Sequence, residues 1–136
     1  MGKPNSFRLF PGLRLRRGQE FARLLAEGQR AGDRRLQVWA RPNGRAHSRL
    51  GLIVGRRHGG AVRRNRIKRV LREAFRLRRA ELPVALDIVC TPRVGAEIEL
   101  EPIMRSLVEV TRRLAPRFDE NATSQASGGG PPRAPN

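Results

Sequence analysis

Apolar residues recur along the chain at two spacings, which predict short helices alternating with short strands. Helical spacing predicts a first helix over Gln19 to Glu27, with Gly28 as its stop. Leu36 to Ala40 partly alternates apolar and polar residues and predicts a strand, and Pro42-Asn43-Gly44 supplies the residues of a turn. The chain therefore opens as a helix followed by a sheet.

Two more apolar runs extend this sheet. Leu50 to Val54 is a continuous apolar run, typical of a central strand. Gly59-Gly60 separates it from a second helix, and Ala85 to Cys90 then predicts another strong strand, ended by Thr91-Pro92. Helices and strands in this order predict an α+β sandwich in which helices cover a small sheet.

A last helix is predicted to begin near Glu101-Pro102 and to end before Pro116. Its apolar face contains Ile103, Leu107, Val110 and Leu114. Ser, Gly, Pro, Asn and Ala dominate residues 119–136, which predicts disorder. We therefore expect a flexible basic N-terminus (1–12), one domain (13–116) and a disordered tail (117–136).

Charge is unevenly distributed along the 136 residues, whose net charge is +17. Residues 1–79 carry 23 Lys and Arg against four acids, a net charge of +19, whereas residues 80–136 carry a net charge of −2. Such a split indicates a binding surface for a polyanion in the first part of the chain. All but two of the cations are arginines, which grip phosphate oxygens bidentately.

The second helix concentrates this charge. Its apolar stripe, which must face a core, consists of Ile67, Val70, Leu71, Ala74 and Phe75. Residues 56–79 hold eleven cations and one acid, Glu73. A solvated helix face would have acids interspersed for pairing, so a nucleic acid that neutralises the cations is the better interpretation. Asn65, between two arginines, either reads a base edge or makes a local backbone hydrogen bond; both remain open.

Residues for protein-based catalysis are not apparent in the sequence. His47 and His58 lie in basic, turn-like segments without a carboxylate partner, and no metal-ligand motif is present. The single cysteine, Cys90, excludes an intramolecular disulfide, and Asp87 is expected to face outward from its strand. No apolar stretch is long enough for a membrane span and no signal-peptide core is visible, so we expect a soluble, cytoplasmic protein.

The run Arg64-Asn65-Arg66-Ile67-Lys68-Arg69, preceded by Gly59-Gly60-Ala61-Val62 and followed by Glu73-Ala74-Phe75, closely resembles the signature of the bacterial ribonuclease P protein component. Counterparts extend over roughly Leu13 to Leu114. The resemblance implies the small protein partner of a catalytic RNA that removes the 5′ leader from precursor tRNA. It also implies an αβββαβα fold with a left-handed βαβ crossover, and a short first strand at Gln29–Ala31.

The same resemblance implies the partners and the binding residues. One protein is expected per ribonuclease P RNA, with precursor tRNA as substrate, Mg²⁺ held mainly by RNA, and no membrane contact. The catalytic RNA would contact Arg56, Arg57, Arg64, Asn65, Arg66, Lys68, Arg69 and Arg72. The single-stranded leader would lie in a cleft lined by Phe21, Leu25, Trp39 and Leu52. Relatives often carry an aromatic residue where Leu25 stands, and core packing is the alternative role for Phe21 and Trp39.

Three other functions fit the sequence in part. A non-catalytic RNA-binding module, of the ribosome-associated type, would share the charge and the basic helix but would need no leader cleft. A membrane-active cationic helix is the second alternative, although the strands around it indicate a folded domain. The third is a stand-alone protein nuclease, which would cleave RNA without an RNA partner.

Overall fold

The computed structural model describes the backbone of residues 11–128 and the side chains of residues 12–118. Short 3₁₀ turns lie at Pro11–Leu13, Arg56–His58 and Arg79–Glu81. The helices and strands are α1 (Gln19–Glu27), β1 (Gln29–Gly32), β2 (Leu36–Pro42), β3 (Arg49–Leu52), α2 (Ala61–Arg78), β4 (Leu86–Pro92) and α3 (Leu100–Gly128). This confirms the predicted αβββαβα order, including the short first strand.

The four strands form one mixed sheet in the order β1-β2-β4-β3. β1 and β4 each pair antiparallel with β2, whereas β3 pairs parallel with β4 and connects to it through α2. The predicted α+β class and the mainly antiparallel sheet are therefore confirmed. The left hand of the β3–α2–β4 crossover remains an implication of the resemblance.

Helices cover both faces of the sheet. The side chains of a strand alternate between the faces, and here both faces carry apolar residues that have to be buried. The larger core lies between one face and the helices α2 and α3, where Val38 and Ile88 meet Phe75 and Leu107. On the opposite face, α1 packs Phe21 and Leu24 against Val89 in a smaller cluster. The apolar stripes predicted for α2 and α3 both face the larger core.

β3 lies at the edge of the sheet, so its predicted central position is wrong. Its apolar run is explained instead by burial on several sides. Leu50 faces the larger core, while Gly51 is covered by α1. The N-terminal segment also covers the free edge of β3, because Arg14 forms a parallel bridge with Leu50 and the Leu15 N–H donates to the Leu50 carbonyl at 2.9 Å. A buried edge strand and a central strand share the same apolar pattern.

α3 does not end before Pro116, as the sequence predicted, but continues to Gly128. Proline removes one helical hydrogen bond, and its exposed position here avoids a steric conflict with the core. Buried Leu114 and Phe118 on either side of it hold the helix against the larger core. The predicted domain boundary at 117 therefore lies within a helix. Residues 1–10 and 129–136, which hold most of the predicted flexible N-terminus and the last eight residues of the predicted tail, lie outside the described residues.

Gly51 permits the close approach of α1 to the sheet. A Cβ atom at this position would lie 2.7 Å from Phe21 Cε2 and 2.9 Å from the Leu15 carbonyl oxygen. Real Cβ contacts are never that short, so a side chain at 51 would force α1 and the N-terminal segment away from β3. Phe21 fills the space instead and is only 3% exposed.

An ion pair between Arg49 and Asp87 lies at one end of the α1-covered face. The Arg49 guanidinium donates to both Asp87 oxygens, at 2.8 and 2.7 Å, and Asn43 Nδ2 donates to Oδ1 at 3.0 Å. Asp87 is therefore buried and paired, and the expectation that it faces outward is wrong. Burial raises the pKa of this carboxyl, but the Arg49 and Asn43 hydrogen bonds outweigh burial and leave the pKa below its ordinary value.

Replacing Gly51 with Ala should lower the free energy of unfolding by about 1–3 kcal/mol, the usual effect of overpacking a core. Urea unfolding monitored by circular dichroism measures this. Gly55→Ala is the matched control, because a Cβ there meets nothing within 4 Å. Equal stabilities for the two variants would contradict the packing described for Phe21.

Replacing Asp87 with Asn should lower the free energy of unfolding at neutral pH by roughly 1.5–3 kcal/mol, the usual contribution of a hydrogen bond to a charged group, because Arg49 keeps only the exposed Glu20 as a carboxylate partner. The pKa of Asp87 is lower in the folded state, so its contribution is present above the unfolded pKa, about 4. It disappears as the pH falls through the folded pKa. Unfolding across pH 7 to 2 should give a smaller acid-dependent loss for Asp87→Asn than for the wild type; parallel curves would exclude this role.

Candidate nucleic-acid interface

The cations of α2 lie on two adjacent stripes beside its buried face. Arg64, Lys68 and Arg72 follow each other at four-residue intervals and are half-buried. Asn65 and Arg69 form the neighbouring, exposed stripe. Within residues 12–118, the Asn65 side chain makes no hydrogen bond, so the local backbone bond considered for it is absent. The Asn65 side chain is exposed to solvent.

Two arginines of the predicted motif also hold the start of α2 in place. Arg64 Nε donates to the Gly59 carbonyl at 3.0 Å. Arg66 reaches the loop before α3, where it donates to the Ile98 carbonyl at 3.1 Å and pairs with Glu99 at 3.3 Å. Both guanidinium groups are thus preorganised. Of the two, Arg66 is partly neutralised by a carboxylate.

His58 anchors the turn that presents Arg56 and Arg57. This buried imidazole accepts a hydrogen bond from the Gly55 N–H at Nδ1, 3.1 Å away. Its Nε2 lies 2.9 Å from the Pro92 carbonyl oxygen, which requires the proton on Nε2. His58 therefore ties the turn to the end of β4, while Arg56 and Arg57 project outward as exposed cations.

A cleft of about 260 Å³ separates α2 from the N-terminal segment, and we call it the basic cleft. Its cationic lining residues are Arg14, Arg16, Arg17, Lys68 and Arg72. Its floor contains Leu50, Gly51 and Leu52 of β3. Sequence reasoning missed the three N-terminal arginines as site residues, although the alternation of Leu13 and Leu15 with arginines gives a strand-like signal that could have found them.

The buried Nε atom of Arg14 has no hydrogen-bond partner among the described residues. A buried donor without an acceptor costs free energy, about 1–3 kcal/mol, more for a charged group. The basic cleft thus combines positive charge from two chain segments with an unsatisfied guanidinium donor. Its chemistry suits a phosphate group.

The predicted leader cleft is only partly assembled. Leu25 and Trp39 lie half-buried on the α1-covered face, beside the cluster of Phe21 and Val89. Phe21 itself is covered by Gly51 and by the Arg17 guanidinium, 4.8 Å from its ring centroid, so it packs in the core. Leu52 packs against the larger core instead of this face, because it follows Gly51 on an alternating strand. Its assignment beside Trp39 is therefore wrong.

Groups that could serve protein-based chemistry are few in the described part of the chain. No cluster of three or more His, Cys, Asp or Glu that could hold a metal ion occurs among residues 12–118. Burial raises the pKa of the Cys90 thiol to about 12, so it stays protonated at neutral pH. No helix within residues 11–128 is both long and apolar enough to cross a membrane.

Known proteins of one family resemble this chain in sequence. Residues 11–115 match the family model described as Ribonuclease P. The chain is 36% identical over 102 residues to the ribonuclease P protein component of Brevibacillus brevis, covering 74% of this chain and 81% of that protein. It is 40% identical over 90 residues to the component from Thermotoga maritima, covering 66% and 77% respectively.

Solved structures of such proteins share the fold. The ribonuclease P protein from Thermotoga maritima superposes with a TM-score of 0.67 at 33% identity, covering 74% of this chain and 96% of that one. The protein from Staphylococcus aureus gives 0.65 at 30% identity, covering 78% and 97%. The family model spans most of the chain, and the relatives from Brevibacillus brevis and Thermotoga maritima are 36% and 40% identical to it in sequence. The chain therefore belongs to the ribonuclease P protein family.

Proposed function

We propose that this protein is the RNA-binding subunit of ribonuclease P and promotes removal of the 5′ leader from precursor tRNA. The observation that carries the proposal is the presence of two distinct surfaces. Cations of α2 and the basic cleft at the β3 edge form one, and Leu25 and Trp39 on the α1-covered face of the sheet form the other. A subunit that binds a catalytic RNA and a substrate at once needs two such surfaces.

The basic surface would hold the catalytic RNA. Phosphate contacts supply most of the affinity of such interfaces, and they depend strongly on salt. Lys68 and Arg72 line the basic cleft, whereas Arg56, Arg57, Asn65 and Arg69 lie exposed nearby. Arg64 and Arg66 have part of their donors engaged within the protein, and they would contact RNA through the remaining N–H groups.

The second surface would hold the single-stranded leader. Trp39 is its aromatic side chain, because Phe21 is buried. Stacking on an indole tolerates any base, since every base has a π-face, and this suits leaders of varied sequence. Leu25 would supply an apolar border beside the indole.

Chemistry would be carried by the RNA subunit. Magnesium ions held mainly by RNA phosphates would assist hydrolysis, and this chain's cations would reduce phosphate repulsion and position the precursor. We expect one copy of the protein per RNA subunit, in the cytoplasm, where tRNA precursors are made. The protein should therefore lower the magnesium concentration that its cognate catalytic RNA needs for cleavage.

A non-catalytic RNA-binding module is the second candidate function, supported by the extent of the basic surface. Reconstitution with the cognate catalytic RNA separates the two. A subunit of ribonuclease P lowers the magnesium requirement for cleavage of precursor tRNA, whereas an unrelated RNA-binding module binds RNA without changing it. Cleavage by the protein alone would instead favour the stand-alone nuclease.

Replacing Lys68 with Ala should weaken binding of the catalytic RNA and reduce the slope of log K against log salt by roughly 0.7–0.9, the value for one phosphate contact. Filter binding across a salt series measures this. Arg78→Ala removes the same charge from the far end of α2, where Arg78 already pairs with Glu81 at 2.7 Å. Identical slopes for both variants would remove Lys68 from the interface.

Replacing Trp39 with Ala should reduce the preference of the holoenzyme for precursor over mature tRNA by roughly 5- to 150-fold, as expected for about 1–3 kcal/mol of stacking. Trp39→Phe keeps an aromatic face and should retain most of the preference. Equal losses of affinity for precursor and mature tRNA would show that Trp39 does not contact the leader.

A further inference from the structure

Three arginines from the second half of the chain dock on β1: two on its free edge and one on the turn that follows it. Arg113 Nη1 donates to the Gly32 carbonyl at 3.1 Å, and Arg117 Nη1 donates to the Arg30 carbonyl at 3.0 Å. Arg93 Nε donates to the carbonyl of Asp33, just beyond the strand, at 3.0 Å. β1 pairs with β2 alone, so these carbonyls face away from the sheet.

The distance between Arg113 and Arg117 along α3 matches the distance between the carbonyls of Gly32 and Arg30 along β1. Four residues of an α-helix advance about 6 Å, and two residues of a strand advance about 6.6 Å. Arg113 and Arg117 are therefore held side by side on alternate carbonyls. Each guanidinium has five N–H donors, so most of them remain available after one bond to the main chain.

None of these docked arginines forms an ion pair with a carboxylate among residues 12–118. Arginines elsewhere do, at positions 41, 45, 49, 66, 76 and 78. The carboxylate of Asp33 instead accepts the main-chain N–H groups of Arg35 and Leu36. Burial raises the pKa of Asp33, but hydrogen bonds and the charge of Arg113 outweigh burial and keep it ionised.

These arginines continue the surface that contains Trp39. Arg30 is the cross-strand partner of Trp39, so both side chains leave the same face of the sheet. The carbonyl of Arg30 in turn accepts the hydrogen bond from Arg117. Arg30, Arg93, Arg113 and Arg117 thus form one stripe that begins beside the indole and wraps around the sheet edge. We call it the edge stripe.

Protection of the sheet edge explains only part of this arrangement. An unpaired strand edge invites association with other chains, and arginines docked on its carbonyls block that. A single lysine would serve the same purpose. Edge protection does not require three neighbouring guanidinium groups, and a phosphate backbone would neutralise the charge that they share.

We propose that the edge stripe binds the phosphate backbone of single-stranded RNA, namely the leader nucleotides that lie 5′ of those stacked on Trp39. This inference rests on the proposed function. Guanidinium groups at intervals of one helical turn suit successive phosphates, which they grip through paired N–H donors. The stripe is narrow and curves around a sheet edge, which suits a flexible single strand better than a duplex.

The test uses holoenzyme reconstituted from the full chain and its cognate catalytic RNA. Affinity is measured for precursor tRNAs whose leaders lengthen by one nucleotide at a time, starting from mature tRNA. Wild-type affinity should rise as the leader reaches Trp39 and should rise again as it reaches the edge stripe. The double variant R113Q/R117Q should keep the first rise and lose the second.

Matched variants separate charge from fold. R105Q/R112Q removes the same charge from exposed positions of α3 that do not dock on β1, and it should keep both rises. R113K/R117K retains the charge and should restore part of the second rise. With long leaders, R113Q/R117Q should reduce the salt slope by roughly 0.7 for each lost contact with a single strand. A second rise of wild-type size in R113Q/R117Q would overturn the inference and leave the proposed function intact.

Crosslinking gives a second measurement that needs no folded variant. A photoreactive nucleotide is placed at successive leader positions in the wild-type complex, and the crosslinked peptides are identified. Positions 5′ of those that react near Trp39 should crosslink to the segments around Arg93 and Arg113. If those leader positions crosslink only to α2, the proposal that the edge stripe binds the leader is wrong. Absence of any leader-dependent affinity in the wild type would overturn the proposed function as well.

Discussion

Burial of β4 on both faces is the constraint on which the rest of this structure depends. Ile88 and Cys90 face the larger core beneath α2 and α3, while Val89 between them faces α1. A strand enclosed in this way leaves little room for charge, and its one charged side chain, Asp87, is buried only as the partner of Arg49. Most cations of the described residues therefore lie at the margins, among them one side of α2, the N-terminal segment and the edge of β1. Each margin becomes a distinct basic surface because apolar layers separate it from the others.

Main-chain carbonyls order many of these cations. Arg64 and Arg66 donate to carbonyls at the two loops beside α2, and Arg113 and Arg117 donate to carbonyls along β1. A carbonyl fixes the direction of a guanidinium without cancelling its charge, which a carboxylate would do. This arrangement gives a basic protein oriented donors that still attract phosphate. It would also lower the entropy lost on binding of the proposed RNA partner, since less side-chain freedom remains to be lost.

Local sequence predicted much of the fold because each element has a clear period. The α2 stripe from Ile67 to Phe75, the α3 face from Ile103 to Leu114, and the strand around Ile88 all occupy the predicted positions. The predictions that failed depend on long-range packing. The position of β3 was wrong because the N-terminal segment covers its edge, and the end of α3 was wrong because buried Phe118 carries the helix past Pro116. The periodicity of apolar residues does not show which distant segment of the chain buries a given strand or helix.

The sequence by itself determined the basic helix and the family and predicted a polyanion partner, because net charge, helical period and a contiguous motif are all local properties. Only the tertiary structure decided which residues share a surface. It joined Arg14, Arg16 and Arg17 to Lys68 and Arg72, buried Phe21 behind Gly51, and turned Leu52 to the opposite face from Trp39. It also brought Arg113 and Arg117, from the acidic half of the chain, to β1. The physical reason is that a sheet brings distant segments within hydrogen-bonding distance, so charge separated along the chain becomes contiguous in space.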